Sequence, residues 1–265
     1  MGSRMTISAD TARRVALVTG GSRGIGAAIA LRLAADGFDV AINYRRQEEA
    51  ANGVAATAEA RGVRALAYRA DIASYEEDAA MIDRVVADFG RLDVLVCNAG
   101  IASRGRSVAD TDPDEPARLL GVHAVGAHHL ASLALPHLRR HDRSDVVLVS
   151  STAAERPTPN GAPYMMAKVA LEALGRTLAL EEGDNGVRVN IVAPGLTVTD
   201  MGDRLAHAVT GVPGAADLDA STPFGRVTRP EDVAAVVAFL VSADAEMVTG
   251  QRIEVTSTAG VPGRQ

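Results

Sequence analysis

The sequence predicts an α/β fold, namely a doubly wound parallel sheet of about seven strands with helices on both faces. Two observations predict it. Short runs rich in β-branched residues alternate with alanine-rich stretches of helical periodicity, which indicates successive βαβ units. Runs such as Val15–Val18 and Val146–Val149 are apolar throughout, as expected of strands that are buried on both faces.

Each predicted strand is a short apolar or β-branched run, and the predicted helices are the longer stretches between them. The predicted strands are Val15–Thr19, Asp39–Asn43, Arg64–Arg69, Val94–Cys97, Val146–Ser150, Val187–Val192 and Arg252–Val255. The predicted helices are Gly24–Ala35, Gln47–Arg61, Tyr75–Phe89, Pro116–Arg140, Pro163–Glu182 and Pro230–Ser242. Strands and helices that alternate in this way form right-handed crossovers and a parallel sheet.

Length and composition suit one large domain. The chain has 265 residues, of which 47% are hydrophobic, and no linker or repeat divides it. We expect residues 1–12 to form a disordered leader and residues 13–265 to form a single domain. A long stretch rich in Gly and Pro, about 197–226, is predicted to be a lid over the substrate.

Charge and cysteine content exclude several classes of partner. The balance of 27 basic against 33 acidic residues gives a net charge of −6, which argues against a nucleic-acid partner. The single cysteine, Cys97, cannot form an intrachain disulfide and fits a reducing, cytoplasmic compartment. The longest uninterrupted apolar run, Val233–Val241, is too short to span a bilayer, so no membrane partner is expected.

Polar residues stand at the carboxyl ends of the predicted strands. Ligands of such sheets bind beyond these ends, at the point where the strand order reverses. Thr19, Asn98, Ser151 and Pro194 all stand at or just after the end of a strand. The sequence therefore predicts the functional site at this edge.

Lys168 is the single lysine among 27 Lys and Arg residues, and it follows Tyr164 by four positions. Residues at this spacing share one face of a helix. A lysine is a compact charge that can pass on a proton, whereas an arginine stays protonated. We therefore expect Lys168 to lower the pKa of Tyr164 from about 10 towards the working pH, which makes the phenol a general acid/base. The alternative is a surface lysine one turn from a buried tyrosine.

A glycine-rich turn follows the first strand and opens the first helix. Its glycines allow a pyrophosphate to approach the backbone, and the helix N-terminus offers free N–H groups. The alternative, a plain tight turn, is less favoured in this context. The predicted cradle consists of Thr19, Gly20, Ser22, Arg23, Gly24, Ile25 and Gly26.

The end of the second strand favours NADP(H) over NAD(H). NAD-binding folds usually place an acid here to hold the ribose hydroxyls. This chain has Tyr44, Arg45 and Arg46 instead, with no acid before Glu48. Arg45 and Arg23 can attract a 2′-phosphate. The alternative is that Arg45 and Arg46 are only surface residues at the start of a helix, in which case NAD(H) is possible.

Taken together, these motifs resemble the short-chain dehydrogenase/reductase family from about Arg14 to Gly260. The resemblance implies a Rossmann-like fold and NAD(P)-dependent oxidation of alcohols or reduction of carbonyls. The chain is also similar to the β-ketoacyl-carrier-protein reductases within that family. The matching residues are the turn Thr19–Gly26, Asp71, Asn98-Ala99-Gly100, Ser151, Tyr164 with Lys168, and Pro194-Gly195 with Thr199.

The resemblance also implies roles for the matching residues. Tyr164 would be the catalytic acid/base, Lys168 would hold the nicotinamide ribose and acidify the phenol, and Ser151 would hydrogen-bond the substrate oxygen. The other implied residues bind the cofactor. They are Tyr44, Asp71 and Ile72 at the adenosine end, Asn98, Ala99 and Gly100 along the cofactor, and Pro194, Gly195, Thr197 and Thr199 near the nicotinamide.

The chain departs from the family pattern at two places. His123 stands where many relatives have an asparagine that holds a water, and it is predicted either to bind water or relay protons, or to be a packed helix residue. The Asp-Gly-Gly sequence that the family often has near the C-terminus is replaced within Val255–Gly260. The resemblance implies that this region usually contributes to a tetramer contact. We expect a homo-oligomer, either a tetramer or a dimer. No metal is expected, because His128 and His129 lack partners at ligand spacing.

The leading hypothesis is an oxidoreductase that reduces a ketone or aldehyde with NADPH, or catalyses the reverse alcohol oxidation. The apolar residues of the predicted lid suit a small-molecule carbonyl or an acyl thioester. The alternative is a catalytically weak dinucleotide-sensing or regulatory protein. His123 and the altered C-terminal region favour that alternative, and the Ser151, Tyr164 and Lys168 set disfavours it.

Overall fold

Seven parallel strands form one sheet in the order β3-β2-β1-β4-β5-β6-β7. The computed structural model describes residues 13–257, so the predicted leader and residues 258–260 of the C-terminal departure lie outside the described residues. Strand order reverses between β1 and β4, as predicted for a doubly wound sheet. The strands are β1 (Val15–Val18), β2 (Asp39–Tyr44), β3 (Ala65–Arg69), β4 (Val94–Cys97), β5 (Ser144–Val149), β6 (Val187–Pro194) and β7 (Arg252–Val255).

Eight α-helices cover the two faces of the sheet within residues 13–257. All six predicted helices are present, with ends that shift by a few residues. The helices are α1 (Gly24–Ala35), α2 (Glu48–Glu59), α3 (Tyr75–Phe89), α4 (Asp114–Leu120), α5 (Gly126–Leu138), α6 (Ala162–Glu182), α7 (Asp200–Thr210) and α8 (Pro230–Val241).

The side chains of the strands contribute to two hydrophobic cores, one on each face of the sheet. On β1, Leu17 belongs to the core beneath α3, α5 and α6, whereas Ala16 and Val18 belong to the core beneath α1, α2 and α8. Successive side chains of a strand point to opposite faces, so a strand covered on both sides is apolar throughout. The predicted fold class is confirmed.

A π-helical turn, Gly121–Val125, joins α4 and α5 into one continuous helix where the sequence predicts a regular one. Such turns widen a helix locally and often occur at functional sites. Here the turn carries His123. The combined helix Asp114–Leu138 is long and apolar enough to cross a membrane, yet half of its most apolar stretch is buried inside the protein, as in a core helix.

The predicted lid contains a helix that the sequence pattern does not predict. Thr199 caps α7 by accepting a hydrogen bond from the Gly202 amide at 3.1 Å. A 3₁₀ segment, Ala215–Ser221, follows and packs against α7 through a small apolar core that includes Ala206, Ala215 and Val227. The lid therefore has its own hydrophobic contacts.

Candidate active site

The predicted site residues converge at the carboxyl edge of the sheet. Ser151 follows β5. Tyr164 and Lys168 lie on the next α-helix, α6. Pro163 stands in the first turn of α6, where a missing N–H costs nothing. Pro194 does not follow β6 but is its last residue, because it still pairs with Val255 of β7.

Ser151, Tyr164 and Lys168 form one cluster. The Ser151 hydroxyl is close enough to the Tyr164 hydroxyl to affect the pKa of Tyr164, and the Ser151 Oγ accepts a bond from the Ala153 amide at 3.1 Å. Lys168 is buried and donates to the Val149 carbonyl at 2.8 Å. Its Nζ lies 5.7 Å from the centroid of the Tyr164 ring. A serine, a phenol and an amine thus share a site that is largely shielded from water.

Burial shifts the pKa values of Tyr164 and Lys168 in opposite directions. It raises the pKa of Tyr164 to about 12, and the Ser151 hydrogen bond opposes this rise. Burial also lowers the pKa of Lys168 to about 7, opposed by the charge of Glu172. The expectation that Lys168 lowers the pKa of Tyr164 is wrong for the chain by itself, because burial desolvates the phenolate and raises that pKa instead.

His123 lies directly beside this cluster, on the π-helical turn. Its ring meets the Tyr164 ring edge-to-face, with centroids 5.4 Å apart, and packs against Gly100. Nε2 lies 3.2 Å from the Ile101 amide nitrogen and 2.9 Å from the Ile101 carbonyl oxygen, but one ring nitrogen can serve only one of the two. Nδ1 is buried without a partner within residues 13–257. Burial lowers the pKa of His123 to about 3, so the ring is neutral at neutral pH.

The glycine turn leaves no room for side chains at its closest points. Gly20 has φ +62°, and a Cβ there would lie 2.9 Å from the Ala99 Cα. A Cβ on Gly26 would lie 2.3 Å from the Gly20 carbonyl oxygen. Ser22 and Arg23 lie on this turn, Gly24 opens α1, and Ile25 packs against the core. These contacts give an exposed helix N-terminus suited to a phosphate group.

Thr19 and Asn98 tie this turn to the end of β4. The Thr19 hydroxyl accepts hydrogen bonds from the amides of Asn98 at 2.9 Å and Ala99 at 3.0 Å. The Asn98 amide side chain donates to the Thr19 carbonyl at 2.9 Å. Sequence reasoning did not assign a role to Asn43, whose side chain accepts a bond from the Gly20 amide at 3.2 Å. A buried polar residue within an apolar strand was the available signal.

Arginines surround a cavity of about 290 Å³ at the end of β2. It is lined by Tyr44, Arg45, Arg46, Glu48 and Arg69. Arg69, at the end of β3, was missed by sequence reasoning, although its position at a strand's carboxyl end was a usable signal. Three guanidinium groups against one carboxylate make this cavity positive.

Arg45 and Arg23, the two arginines predicted to attract the 2′-phosphate, each form an ion pair on the protein surface. Arg45 lies 2.8 Å from Asp71, and Arg23 lies 2.7 Å from Asp200 of the lid helix α7. Such exposed pairs contribute little free energy, so either arginine can exchange its partner at low cost. Asp71 also accepts a bond from the Ala73 amide at 3.2 Å, next to Ile72, which is buried.

The nicotinamide end predicted from the sequence lies where β6 meets the lid. The Gly195 amide donates to Val255, and Thr197 donates to the Gly195 carbonyl at 3.0 Å. A Cβ on Gly24 would lie 3.3 Å from the Thr199 methyl group, so the lid begins directly beside the glycine turn. Within residues 13–257, no three His, Cys, Asp or Glu side chains are grouped as metal ligands.

Comparison with known proteins agrees with this geometry. Residues 20–257 match the family described as Enoyl-(Acyl carrier protein) reductase. The chain is 37% identical to the 3-oxoacyl-(acyl-carrier-protein) reductase of Staphylococcus aureus over 240 residues, which is 91% of this chain and 95% of the relative. It is 38% identical to versicolorin reductase 1 of Dothistroma septosporum over 256 residues, 93% of this chain and 95% of the relative.

Solved structures show the same fold. A short-chain dehydrogenase from Burkholderia cenocepacia in complex with NADP is 40% identical, with a TM-score of 0.83 over 92% of this chain and 96% of that one. An NAD⁺-bound xylitol dehydrogenase is 31% identical, with a TM-score of 0.85 over 92% and 98% of the two chains. The chain therefore belongs to the short-chain dehydrogenase/reductase family of NAD(P)-dependent oxidoreductases.

Proposed function

We propose that this protein reduces a ketone or aldehyde with NADPH, or oxidises the corresponding alcohol, through Ser151, Tyr164 and Lys168. One observation carries the proposal. The buried Lys168 lies one helical turn from Tyr164, with its Nζ 5.7 Å from the centroid of the Tyr164 ring, and the Ser151 hydroxyl is close enough to oppose the rise in the pKa of this phenol, at the carboxyl edge of the sheet. This edge is where parallel sheets bind their ligands.

The residues present fit a dinucleotide phosphate. The glycine turn would hold the pyrophosphate, since Gly20 and Gly26 have no space for a Cβ. The cavity lined by Arg45, Arg46 and Arg69 would hold the 2′-phosphate, which supports NADP(H) as the favoured cofactor and NAD(H) as the alternative. Asp71, Ile72 and the Asn98-Ala99-Gly100 segment would line the remaining length.

The proposed chemistry divides between cofactor and protein. A bound nicotinamide would supply the hydride in the reducing direction. Tyr164 holds its proton at neutral pH, because its pKa is raised to about 12, and donates it to the substrate oxygen. Ser151 hydrogen-bonds the same oxygen and stabilises the negative charge that develops there. Lys168, whose pKa is about 7, can replace the proton that Tyr164 gives away.

His123 acts in this proposal by positioning rather than by carrying charge. Its neutral ring fixes the edge of Tyr164 and holds the Ile101 backbone next to Gly100. A protonated relay at this residue is disfavoured near neutral pH, because its pKa is lowered to about 3.

The lid supports an apolar or acyl substrate. Leu205, Val209 and Phe224 are exposed on the lid segment next to Thr199. The 3-oxoacyl-(acyl-carrier-protein) reductase of S. aureus is one relative of this chain, which makes an acyl thioester a substrate class to test beside simple ketones.

A second candidate function is a catalytically weak dinucleotide sensor or regulator. The observation that favours it is His123, whose Nδ1 is unsatisfied and whose Nε2 cannot serve both Ile101 groups. The grouping of Ser151, Tyr164 and the buried Lys168 disfavours it.

A screen of NADPH consumption separates these functions. The protein is mixed with NADPH and a panel of ketones, aldehydes and acyl thioesters, and absorbance loss is followed. We expect turnover on at least one class. Tight NADPH binding with no turnover across the panel would instead support the sensor.

A cytoplasmic homo-oligomer, tetramer or dimer, stays a prediction. Met166, Val169 and Leu180 leave exposed apolar surface on α6, and Met247 does so before β7. A contact between copies would cover such surface.

A further inference from the structure

A buried carboxylate lies directly behind the Ser151 and Lys168 pair. Glu172, one turn after Lys168 on α6, is only 1% exposed. Its Oε1 accepts hydrogen bonds from Ser150 Oγ at 2.7 Å and from Arg252 Nε at 2.8 Å. The carboxylate therefore joins β5, α6 and β7 immediately beneath the site.

Arg252 connects this carboxylate to the backbone of Ser151. Its side chain is 12% exposed, and its Nη2 donates to the Ser151 carbonyl at 3.3 Å. Its Nη1 lies 2.8 Å from Glu254 and 3.3 Å from Glu155. The rigid planar fork of a guanidinium allows one side chain to hold all these acceptors at once.

The charge that Lys168 experiences depends on this network. Burial lowers the pKa of Lys168, and Glu172 is the acid that opposes the fall. Arg252 and Arg176 both bind the Glu172 carboxylate, Arg176 at 2.9 Å from the exposed side, and so offset part of its negative charge. Losing a positive partner of Glu172 would leave more negative charge facing Lys168.

We propose that Arg252 is a positioning residue that sets the proton affinity of Lys168 through Glu172 and fixes Ser151 through its carbonyl. The inference rests on the proposed function, because the proton affinity of Lys168 matters only if Lys168 returns a proton to Tyr164. Its test, however, does not require turnover.

Lys168 is the single lysine of the chain, so protein labelled with ¹³C-lysine gives one side-chain signal that titrates with Lys168 alone. The titration is followed in wild type, Arg252→Met and Glu172→Gln. We expect the midpoint to rise by about half a pH unit or more in Arg252→Met, because a positive charge is removed and Glu172 is less compensated. In Glu172→Gln the midpoint should fall by a similar amount, because the opposing negative charge is lost.

Two variants control for general damage to the network. Arg252→Lys keeps the charge and should leave the Lys168 midpoint close to wild type; it adds a second lysine signal, which the double variant Arg252→Lys/Lys168→Met identifies. Arg156→Met removes an arginine that lies 2.6 Å from Glu254 and makes no contact with Glu172 within residues 13–257, so it should not move the midpoint. Thermal melting confirms that each variant is folded. If Arg252→Met does not fold, Glu172→Gln and the double variant Arg252→Met/Glu172→Gln carry the test, and the double variant should titrate near wild type.

Opposite shifts in Arg252→Met and Glu172→Gln support the proposal, since a purely structural role would not reverse sign between them. Shifts in the same direction, or no shift in either, overturn it. The pH dependence of kcat/KM for carbonyl reduction should move in the same directions. Absence of wild-type turnover, or full turnover in Tyr164→Phe, would contradict the proposed function instead and would leave the lysine titration readable.

Discussion

Tyr164 and Lys168 have opposite protonation tendencies that complement each other. Near neutral pH the phenol keeps its proton, because its pKa is about 12, and the amine exchanges one readily, because its pKa is about 7. A phenol that holds its proton at neutral pH, next to an amine that can return a proton to it, suits repeated carbonyl reduction. An arginine in place of Lys168 could not do this, because it stays protonated.

Replacement of His123 by asparagine should keep or raise carbonyl reduction. An amide side chain offers one oxygen and one NH₂ group, so it can accept from the Ile101 amide and donate to the Ile101 carbonyl together. The measurement is kcat for NADPH-dependent reduction in His123→Asn and in His128→Asn, a control on the exposed side of the same helix. An abrupt loss confined to His123→Asn would show that His123 has a function of its own.

Helix α3 contains a buried acid that no hydrogen bond satisfies. Asp78 is 0% exposed, and neither carboxylate oxygen has a partner within residues 13–257. Burial raises the pKa of Asp78 to about 7, and the charges of Asp71 and Glu77 add to the rise. A carboxyl that binds its proton more tightly when folded contributes stability at low pH that is lost as the pH rises from about 4 to about 7.

The variant Asp78→Asn should therefore stabilise the protein at pH 8 and have little effect at pH 4. The difference in unfolding free energy between the two pH values should be about 2–4 kcal/mol. Chemical denaturation at both values measures it, and Asp83→Asn on the exposed side of α3 is the control. An equal effect of Asp78→Asn at both pH values would show that the group does not titrate in this range.

The elements differ in how far their sequence patterns determine them. The continuous apolar runs of β1 and β5 predict buried parallel strands, because few other structures bury both faces. Helix α7 was not predicted, because its small apolar face belongs to a small cluster formed with neighbouring residues of the predicted lid. The π-helical turn Gly121–Val125 was not predicted either, because one extra residue in a helix barely changes its periodicity.

Within the site, contacts between residues that are far apart in the sequence were the hardest to predict. Local spacing brings Tyr164 and Lys168 together on one helix face, so their proximity follows from the sequence. By contrast, Arg69 joins the arginine cavity only because β3 lies beside β2 in the sheet. The pairing of Arg23 with Asp200 likewise depends on how α7 lies beside the glycine turn. Such long-range contacts have no local signature.

Three arginines line one cavity of an acidic molecule. The whole chain carries −6, yet Arg45, Arg46 and Arg69 meet in a single cavity. Each charge-assisted hydrogen bond contributes about 1.5–3 kcal/mol, so two of them favour a 2′-phosphate by about a hundredfold or more. NADPH should therefore bind more tightly than NADH at fixed ionic strength.

The variant Arg46→Met/Arg69→Met tests this selectivity. It should weaken NADPH binding by about tenfold to a hundredfold and leave NADH binding within about twofold, since only the phosphate contacts are lost. Fluorescence titration measures both constants. Arg64→Met is the control, because this arginine precedes the opposite end of β3. Tighter binding of NADH than NADPH in the wild type would contradict the assignment.

The most direct test of the central claim is the Tyr164→Phe variant, measured for both NADPH binding and turnover on the best substrate of the carbonyl panel. The substitution removes one hydroxyl and keeps the ring that packs edge-to-face on His123. We predict an NADPH dissociation constant close to wild type and a kcat lower by about two orders of magnitude or more. Unchanged kcat with intact binding would contradict the account.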